Sequence, residues 1–356
     1  MHLAQARFNL FIIICLLMPV FLISSSCKRK AVEEITGSKV SEVKNTPTVS
    51  LKKVTVYPYW VTTCQFAGYY VGKEKGIYRK YGIDLNILEN KPFITTNDII
   101  TQKQTDFAIL WLVNAIQMRS SGIKIVNIAQ FSTHSSLMLI AKKSSGIRTI
   151  NDLNGKRAGI WDGFELQPKT LFSRYHLNTE IVKIGSTNNL FLQDGVDVTN
   201  ANWFDEYHAI LNSGYNENEL VRFSFETYGL NFLEDGIYCL EDKLDEDPEI
   251  CIAFVKATIE SWIYALNHPE ESVQIILEHQ RMQNMPANHS HQKWMIERYK
   301  DLYLPKNAKT MNVMLKEQDY LANAAALIQN KQIVSIPPYK EFFRPYYTLL
   351  HPSTEK

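Results

Sequence analysis

From Lys52 onward, short apolar stretches of strand length alternate with longer segments of helical spacing, twice over, before the chain ends in helices. This order predicts an α/β fold, because each helix carries the chain back to the same edge of a largely parallel sheet. In the first set, strands are expected at 54–57, 84–88, 107–110, 125–129 and 137–141. Helices are expected at 66–81, closed by Gly82, and at 112–120, stopped by Gly122. Thr96 and Asn97 are candidate caps of a short helix between them. The second set opens on a turn capped by Thr149, with strands at 157–161, 180–184, 196–199, 221–225 and 236–240 and helices at 167–175 and 204–212. Helices at 247–267, 269–279, 289–303 and 317–330 complete the chain.

The chain's 356 residues suit two lobes of ~150 residues each. The expected division is a first lobe at 52–140, a second at 141–235, and a return strand with a helical tail at 236–350 packing on the first lobe. A hydrophobic share of 45% and a charged share of 21% exclude a mostly disordered chain and a multi-span membrane protein. A formal charge of +1 argues against nucleic acid as a partner.

Arg7 precedes an uninterrupted apolar run at 10–23, too short for a membrane-crossing helix of ~20 residues but of signal-peptide length. Ser24, Ser25 and Ser26 then lead to Cys27, which resembles a bacterial lipoprotein cleavage site, although Ser24 stands where Leu is usual. The expectation is a signal peptide at 1–26, a lipidated Cys27, a flexible tether at 27–51, and a monomer held at a membrane in the periplasm, with an ordinary cleaved signal or a short anchor as the alternatives. Losing Arg7 with residues 1–26 would turn 38 basic residues into 37, equal to the 37 acidic ones.

No catalytic residue, metal site or cofactor is expected, since GxGxxG, P-loop, GxSxG and HExxH motifs are missing. His289 and His291 read as a solvated helix start. The acids at 245–249 and the pair Glu270 and Glu271 read as complements to helix dipoles. Cys64, Cys239 and Cys251 have no CxxC spacing, so buried free thiols are expected, with a single bridge as the alternative.

The aromatic residues are unevenly placed. Trp60 follows the first strand beside Gln65, and Phe66, Tyr69 and Tyr70 share one face of the next helix at i, i+3, i+4. That face suits a core stripe as well as a binding wall. Ligands of open α/β sheets lie outside the carboxyl ends of strands. The same rule selects Trp111 and Asn114, His134 and Ser135, Trp161 with Asp162 and Phe164, and Trp203 with Asn202, Asp205 and Glu206. A flat heteroaromatic ligand stacked between such rings, its edge read by carboxylates or amides, is the implied occupant.

The run from Gln65-Phe66-Ala67-Gly68-Tyr69-Tyr70-Val71-Gly72 to Tyr81-Gly82-Ile83-Asp84-Leu85 resembles the opening of the thiamine-pyrimidine-precursor branch of periplasmic substrate-binding proteins. Asp106-Phe107-Ala108-Ile109, Asp152-Leu153-Asn154-Gly155-Lys156 and Tyr228-Gly229-Leu230-Asn231-Phe232 add to it and make Tyr228 a candidate. The resemblance implies a type II two-lobed binding protein with a hinge, serving the permease and ATPase subunits of an ABC importer. It makes Trp60 a stacking residue and Glu206, or Asp205, the reader of an aminopyrimidine. Sulfonate, nitrate and riboflavin binders share the superfamily. An enzymatic branch, which builds the pyrimidine from its own histidine and pyridoxal phosphate, carries a CCCFC run that this chain lacks.

Overall fold

Val54 and Val56 lie two residues apart on β1 (Lys52–Pro58) and are fully buried, as the period of a strand requires. The computed structural model describes residues 50–90, 95–304 and 311–349; Cys27, the signal segment and nearly all of the tether lie outside them. After β1 come α1 (Ala67–Glu74), α2 (Ile77–Lys80), β2 (Ile83–Ile87), α3 (Thr96–Thr101), β3 (Phe107–Leu110), α4 (Leu112–Ser120) and β4 (Ile125–Gln130). The chain then builds β5 (Leu137–Lys142), β6 (Arg157–Trp161), α5 (Leu166–Arg174), β7 (Glu180–Ile184), α6 (Asn189–Leu192), β8 (Val198–Asn202), α7 (Glu206–Asn212) and β9 (Leu220–Ser224). It returns through β10 (Gly236–Leu240) into α8 (Glu241–Glu246), α9 (Pro248–Asn267), α10 (Pro269–Met282), α11 (His289–Tyr303), α12 (Glu317–Gln329) and α13 (Tyr339–Phe342).

Two five-stranded sheets result, ordered β2-β1-β3-β10-β4 and β7-β6-β8-β5-β9. β1 pairs in parallel with β2 and β3, and β6 with β7 and β8. β10 enters the first sheet antiparallel between β3 and β4, and β5 lies antiparallel between β8 and β9. The first crossing therefore falls before Leu137, not after residue 140. β5 is an all-buried strand in the second sheet because its backbone pairs on both sides there.

The expected helix at 66–81 is broken at Gly76, whose φ of +68° is left-handed and ends α1. The short helix of the first set is capped by Thr95, one residue before the expected caps, through a reciprocal bond pattern with Asp98. β8 starts two residues later than expected and α7 begins at Glu206, leaving 203–205 as a turn above the strand end.

Gly68 and Gly72, four residues apart, put one bare face of α1 against α9. A Cβ at Gly68 would sit 2.5 Å from the Trp262 indole, and one at Gly72 would sit 2.1 Å from Ser261 Oγ. Trp262, 1% exposed, fills the resulting contact with Tyr69, Tyr299 and Tyr303 around it. The tail does not pack on the first lobe alone. Asn330, just past α12, bonds Thr170 of α5 (2.9 Å), while Gln332 meets Gln117 of α4 (3.2 Å), so this part of the tail straps the lobes together. Cys64, Cys239 and Cys251 are buried free thiols.

Candidate functional site

Pro58 ends β1 and turns Tyr59 and Trp60 into a loop held from outside: Asn90 Nδ2 donates to the carbonyls of Trp60 (2.6 Å) and Pro58 (3.2 Å). Thr63 then caps the turn that carries Gln65. Tyr59 Oη accepts N–H bonds from Gln65 Nε2 and from Trp111 Nε1 (2.6 Å), which fixes all three side chains. From the second lobe, Trp161 closes β6 and Gly163, at φ +88°, turns Phe164 back toward it. Phe164 meets Trp111 and Trp161 edge-on at 5.2 and 5.3 Å, joining the lobes through aromatic contacts.

Tyr59, Trp60, Gln65, Trp111, Trp161 and Phe164 line a cleft of about 200 Å³ with Ile184, Gly185 and Ser186 at the end of β7 and with Asn202, Phe204, Asp205 and Glu206 around the head of α7. A water needs ~10–15 Å³ by such a measure, so the space accommodates an organic ligand. Five parallel strands (β1, β3, β6, β7 and β8) contribute at their carboxyl ends, where a sheet of this kind binds ligands.

The electrostatics of the lining are one-sided. Asp162, Asp205 and Glu206 line it, and among the described lining residues there is no Lys, Arg or His. Lys183 pairs with Asp162 (2.6 Å) and holds its carboxyl below the usual range. The desolvating surroundings of Glu206 push its carboxyl well above the usual range, and Asp205 beside it adds to the rise. Its Oε2 accepts the Asn202 backbone N–H at 3.0 Å. Burial similarly pushes up the Tyr59 hydroxyl. The buried Trp161 Nε1 has no partner among the described residues, which leaves an indole donor at the cleft wall.

Of the residues singled out from sequence, Trp60, Gln65, Trp111, Trp161 and Glu206 meet in this cleft, as do Asp162, Phe164, Asn202 and Asp205. The others are elsewhere. Phe66 is buried edge-on to Tyr59 (5.7 Å), Tyr69 packs on Phe254 and Trp262, and Tyr70 bonds Thr62 (2.7 Å) against the His279 ring. These three serve the core because their face of α1 is covered by the tail. Asn114 lines a neighbouring hollow that shares only Trp111 and Phe164 with the cleft. His134 is exposed and pairs with Glu226, and Ser135 Oγ donates to Glu234 (3.1 Å). Tyr228 packs edge-on to Tyr175 (5.7 Å), and Trp203 lies under the Arg298 guanidinium (5.2 Å).

Sequence reasoning passed over Ile184, Gly185, Ser186 and Phe204, and did not single out Tyr59 as a ligand-site residue. It also missed two buried carboxyls, Glu234 and Asp235, on the return crossing. Glu234 Oε1 accepts from Ser136 N (2.8 Å) and from Ser136 Oγ (3.1 Å) on the outgoing crossing. Asp235 accepts from Gln65 Nε2 (3.2 Å), Tyr299 Oη (2.9 Å) and Tyr303 Oη (2.7 Å). Adjacent acids between Leu233 and a buried strand were the available signal. His291, expected to be solvated, instead bridges to Asp205 at 2.8 Å with its side chain 18% exposed.

Two α/β lobes joined by paired crossings, with a ligand-sized cleft between them, define a type II periplasmic-binding-protein fold. Structural comparison agrees: the periplasmic sulfonate-binding protein SsuA of Methylobacillus flagellatus superposes with a TM-score of 0.62 over 85% of this chain and 95% of its own, at 19% identity. The chain belongs to the NMT1/THI5-like family, whose model matches residues 63–272. It is 24% identical to the 4-amino-5-hydroxymethyl-2-methylpyrimidine phosphate synthase of Legionella pneumophila, across 64% of this chain and 74% of that one. It is 23% identical to the riboflavin-binding protein RibY of Chloroflexus aurantiacus, across 64% and 67%.

Proposed function

We propose that this protein is the lipid-anchored receptor of an ABC importer, capturing an uncharged or cationic aromatic heterocycle of the thiamine-precursor pyrimidine type. The observation that carries the reading is the lining itself: aromatic rings from both lobes, three carboxyls and no cationic side chain among the described residues. Trp60 and Trp161 offer stacking surfaces. A carboxyl held protonated, as the environment of Glu206 favours, donates one hydrogen bond and accepts another. Those are the two bonds that the ring nitrogen and exocyclic amine of an aminopyrimidine offer along one edge. A sulfonate or phosphate ester would instead find no Lys, Arg or His among the described lining residues to compensate its charge.

The synthase reading is favoured by the names of two relatives. It is opposed by the missing CCCFC run and by a lining without a cationic side chain among the described residues, since pyridoxal phosphate brings its own dianion. In the receptor reading, Cys27 carries the lipid, the body works in the periplasm as a monomer, and permease and ATPase subunits take the ligand onward. Native mass spectrometry of protein isolated from its own host tests the ligand class. A co-purified neutral or cationic heterocycle is expected; a retained sulfonate or phosphate ester would contradict the reading.

A further inference from the structure

The second lobe touches α11 through a contact that the cleft does not explain. Asn288 caps α11 and accepts the His291 backbone N–H (3.1 Å), which sets His291 in the first turn facing α7. There His291 Nε2 lies 2.8 Å from Asp205 Oδ1, and His291 Nδ1 lies 2.9 Å from His208 Nδ1. Asn212 Nδ2 approaches the same His208 nitrogen at 3.3 Å. The His208 ring stacks on the Trp294 indole at 4.7 Å, and Trp294 Nε1 donates to the Trp203 carbonyl (3.2 Å).

Donor accounting assigns the protons. Asp205 is a carboxylate and only accepts, so His291 Nε2 carries a hydrogen. The Asn212 amide nitrogen only donates, so His208 Nδ1 is bare and accepts. The hydrogen between the two rings therefore belongs to His291 Nδ1. All three contacts are met when His291 holds both of its protons and His208 is the neutral Nε2–H form, its one Nδ1 lone pair shared between His291 (2.9 Å) and the longer Asn212 contact (3.3 Å).

We propose that His291 is a positioning residue of the ligand cleft, supplied by the first lobe's tail to the second lobe, and that it works as an imidazolium clamped between Asp205 and neutral His208. The inference rests on reading the cleft as a ligand site, because Asp205 lines it. His291 neutralises Asp205 and fixes its direction. Glu206, the next residue, is then left as the carboxyl free to meet a ligand. The clamp also ties the lobes, so ligand retention follows its protonation state.

Two titrations bound it. When His291 gives up one proton, its contact with His208 survives only if His208 moves its own proton to Nδ1, which breaks the Asn212 contact. When His208 gains one, two N–H groups point at each other across 2.9 Å. Burial and the neighbouring His291 charge hold the His208 ring below the usual histidine range, which keeps it neutral into mild acid. Among the described residues Arg298 on α11, itself spread over Trp203 and Trp294, is the other charged group acting on His208, while Glu206 lies beside Asp205.

Ring ¹⁵N NMR of the ligand-free full chain at pH 6, assigned with His291→Gln and His208→Gln, reads the clamp without any ligand. Two protonated nitrogens on His291 and a bare Nδ1 on His208 are expected; two rings protonated alike would overturn the proposal. Calorimetry with 4-amino-5-hydroxymethyl-2-methylpyrimidine as probe should then give a bell-shaped affinity profile for the native chain. H291Q should flatten it and weaken binding about tenfold at the optimum. A native profile that H291Q leaves unchanged in shape would also overturn it. The NMR signature without any pyrimidine binding would support the clamp and contradict the proposed ligand class instead.

Discussion

Gln65 reaches from the cleft to Asp235 on the return crossing, its Nε2 3.2 Å from Asp235 Oδ1. The same amide also holds the Tyr59 hydroxyl, so one carboxylate at the crossing sets a cleft side chain and, through it, a second. Asp235 sits at φ +40°, in the left-handed region that Asp adopts more readily than most non-glycine residues. Tyr299 and Tyr303 of α11 anchor its carboxylate. Asp235→Ala should cost about 2–3 kcal/mol of stability, because three buried donors lose their acceptor. Chemical denaturation measures it, and a cost below about 0.5 kcal/mol would show that the donors repartner.

Glu234 gives a pH dependence of defined sign. Burial and the adjacent Asp235 push its carboxyl from 4.5 up to about 8. A group whose folded value is raised contributes stability that is complete below its unfolded value and lost as pH rises through the folded one. Stability should therefore decline between about pH 4.5 and pH 8 by an amount on the order of 5 kcal/mol from this group. Glu234→Gln, which mimics the neutral acid, should remove that slope when melting is followed across the range. An unchanged slope would place the proton elsewhere.

The α1–α9 contact predicts a large effect from a small change. Gly68→Ala adds one methyl where the Trp262 indole already stands at 2.5 Å from the Cβ position. Overpacking of this kind typically costs ~1–3 kcal/mol, against the modest gain expected from Ala in an exposed helix. Equilibrium unfolding that showed G68A as stable as the parent would mean that α9 moves aside freely.

Trp60 and Tyr69 separate binding from packing. Trp60 is 42% exposed at the cleft, whereas Tyr69 is 3% exposed against Phe254 and Trp262. Trp60→Ala should change stability by less than about 0.5 kcal/mol and weaken ligand affinity about tenfold through lost stacking. Tyr69→Ala should cost about 3–5 kcal/mol yet leave affinity intact in the protein that remains folded. Parallel calorimetry and melting of the two variants decide between this division and its reverse.

What could be read from sequence follows from the range of the interactions involved. The strands were legible because runs such as Phe107 to Leu110 and Leu137 to Ala141 are apolar throughout, as strands buried on both faces tend to be. Trp111 and Trp161 were legible as cleft-lining residues because both stand at strand ends that open on the cleft. Tyr69 and Tyr70 were not separable from a binding wall. Helical spacing shows that a face is covered, and only the distant Trp262 and His279 show by what. The placement of β5 in the second sheet, the strap around α12 and the His291 contact all depend on partners in other lobes or elements. No local pattern announces them.

The most direct test is calorimetric titration of the full chain at one pH with 4-amino-5-hydroxymethyl-2-methylpyrimidine, its phosphate ester, and a simple alkanesulfonate. An aromatic cleft with carboxyls and no cationic side chain among its described lining residues should bind the free base and should bind the phosphate and the sulfonate at least about 100-fold more weakly, a difference of ~2.7 kcal/mol. Equal or tighter binding of either anion, or no binding of the base with strong binding of the sulfonate, would contradict it.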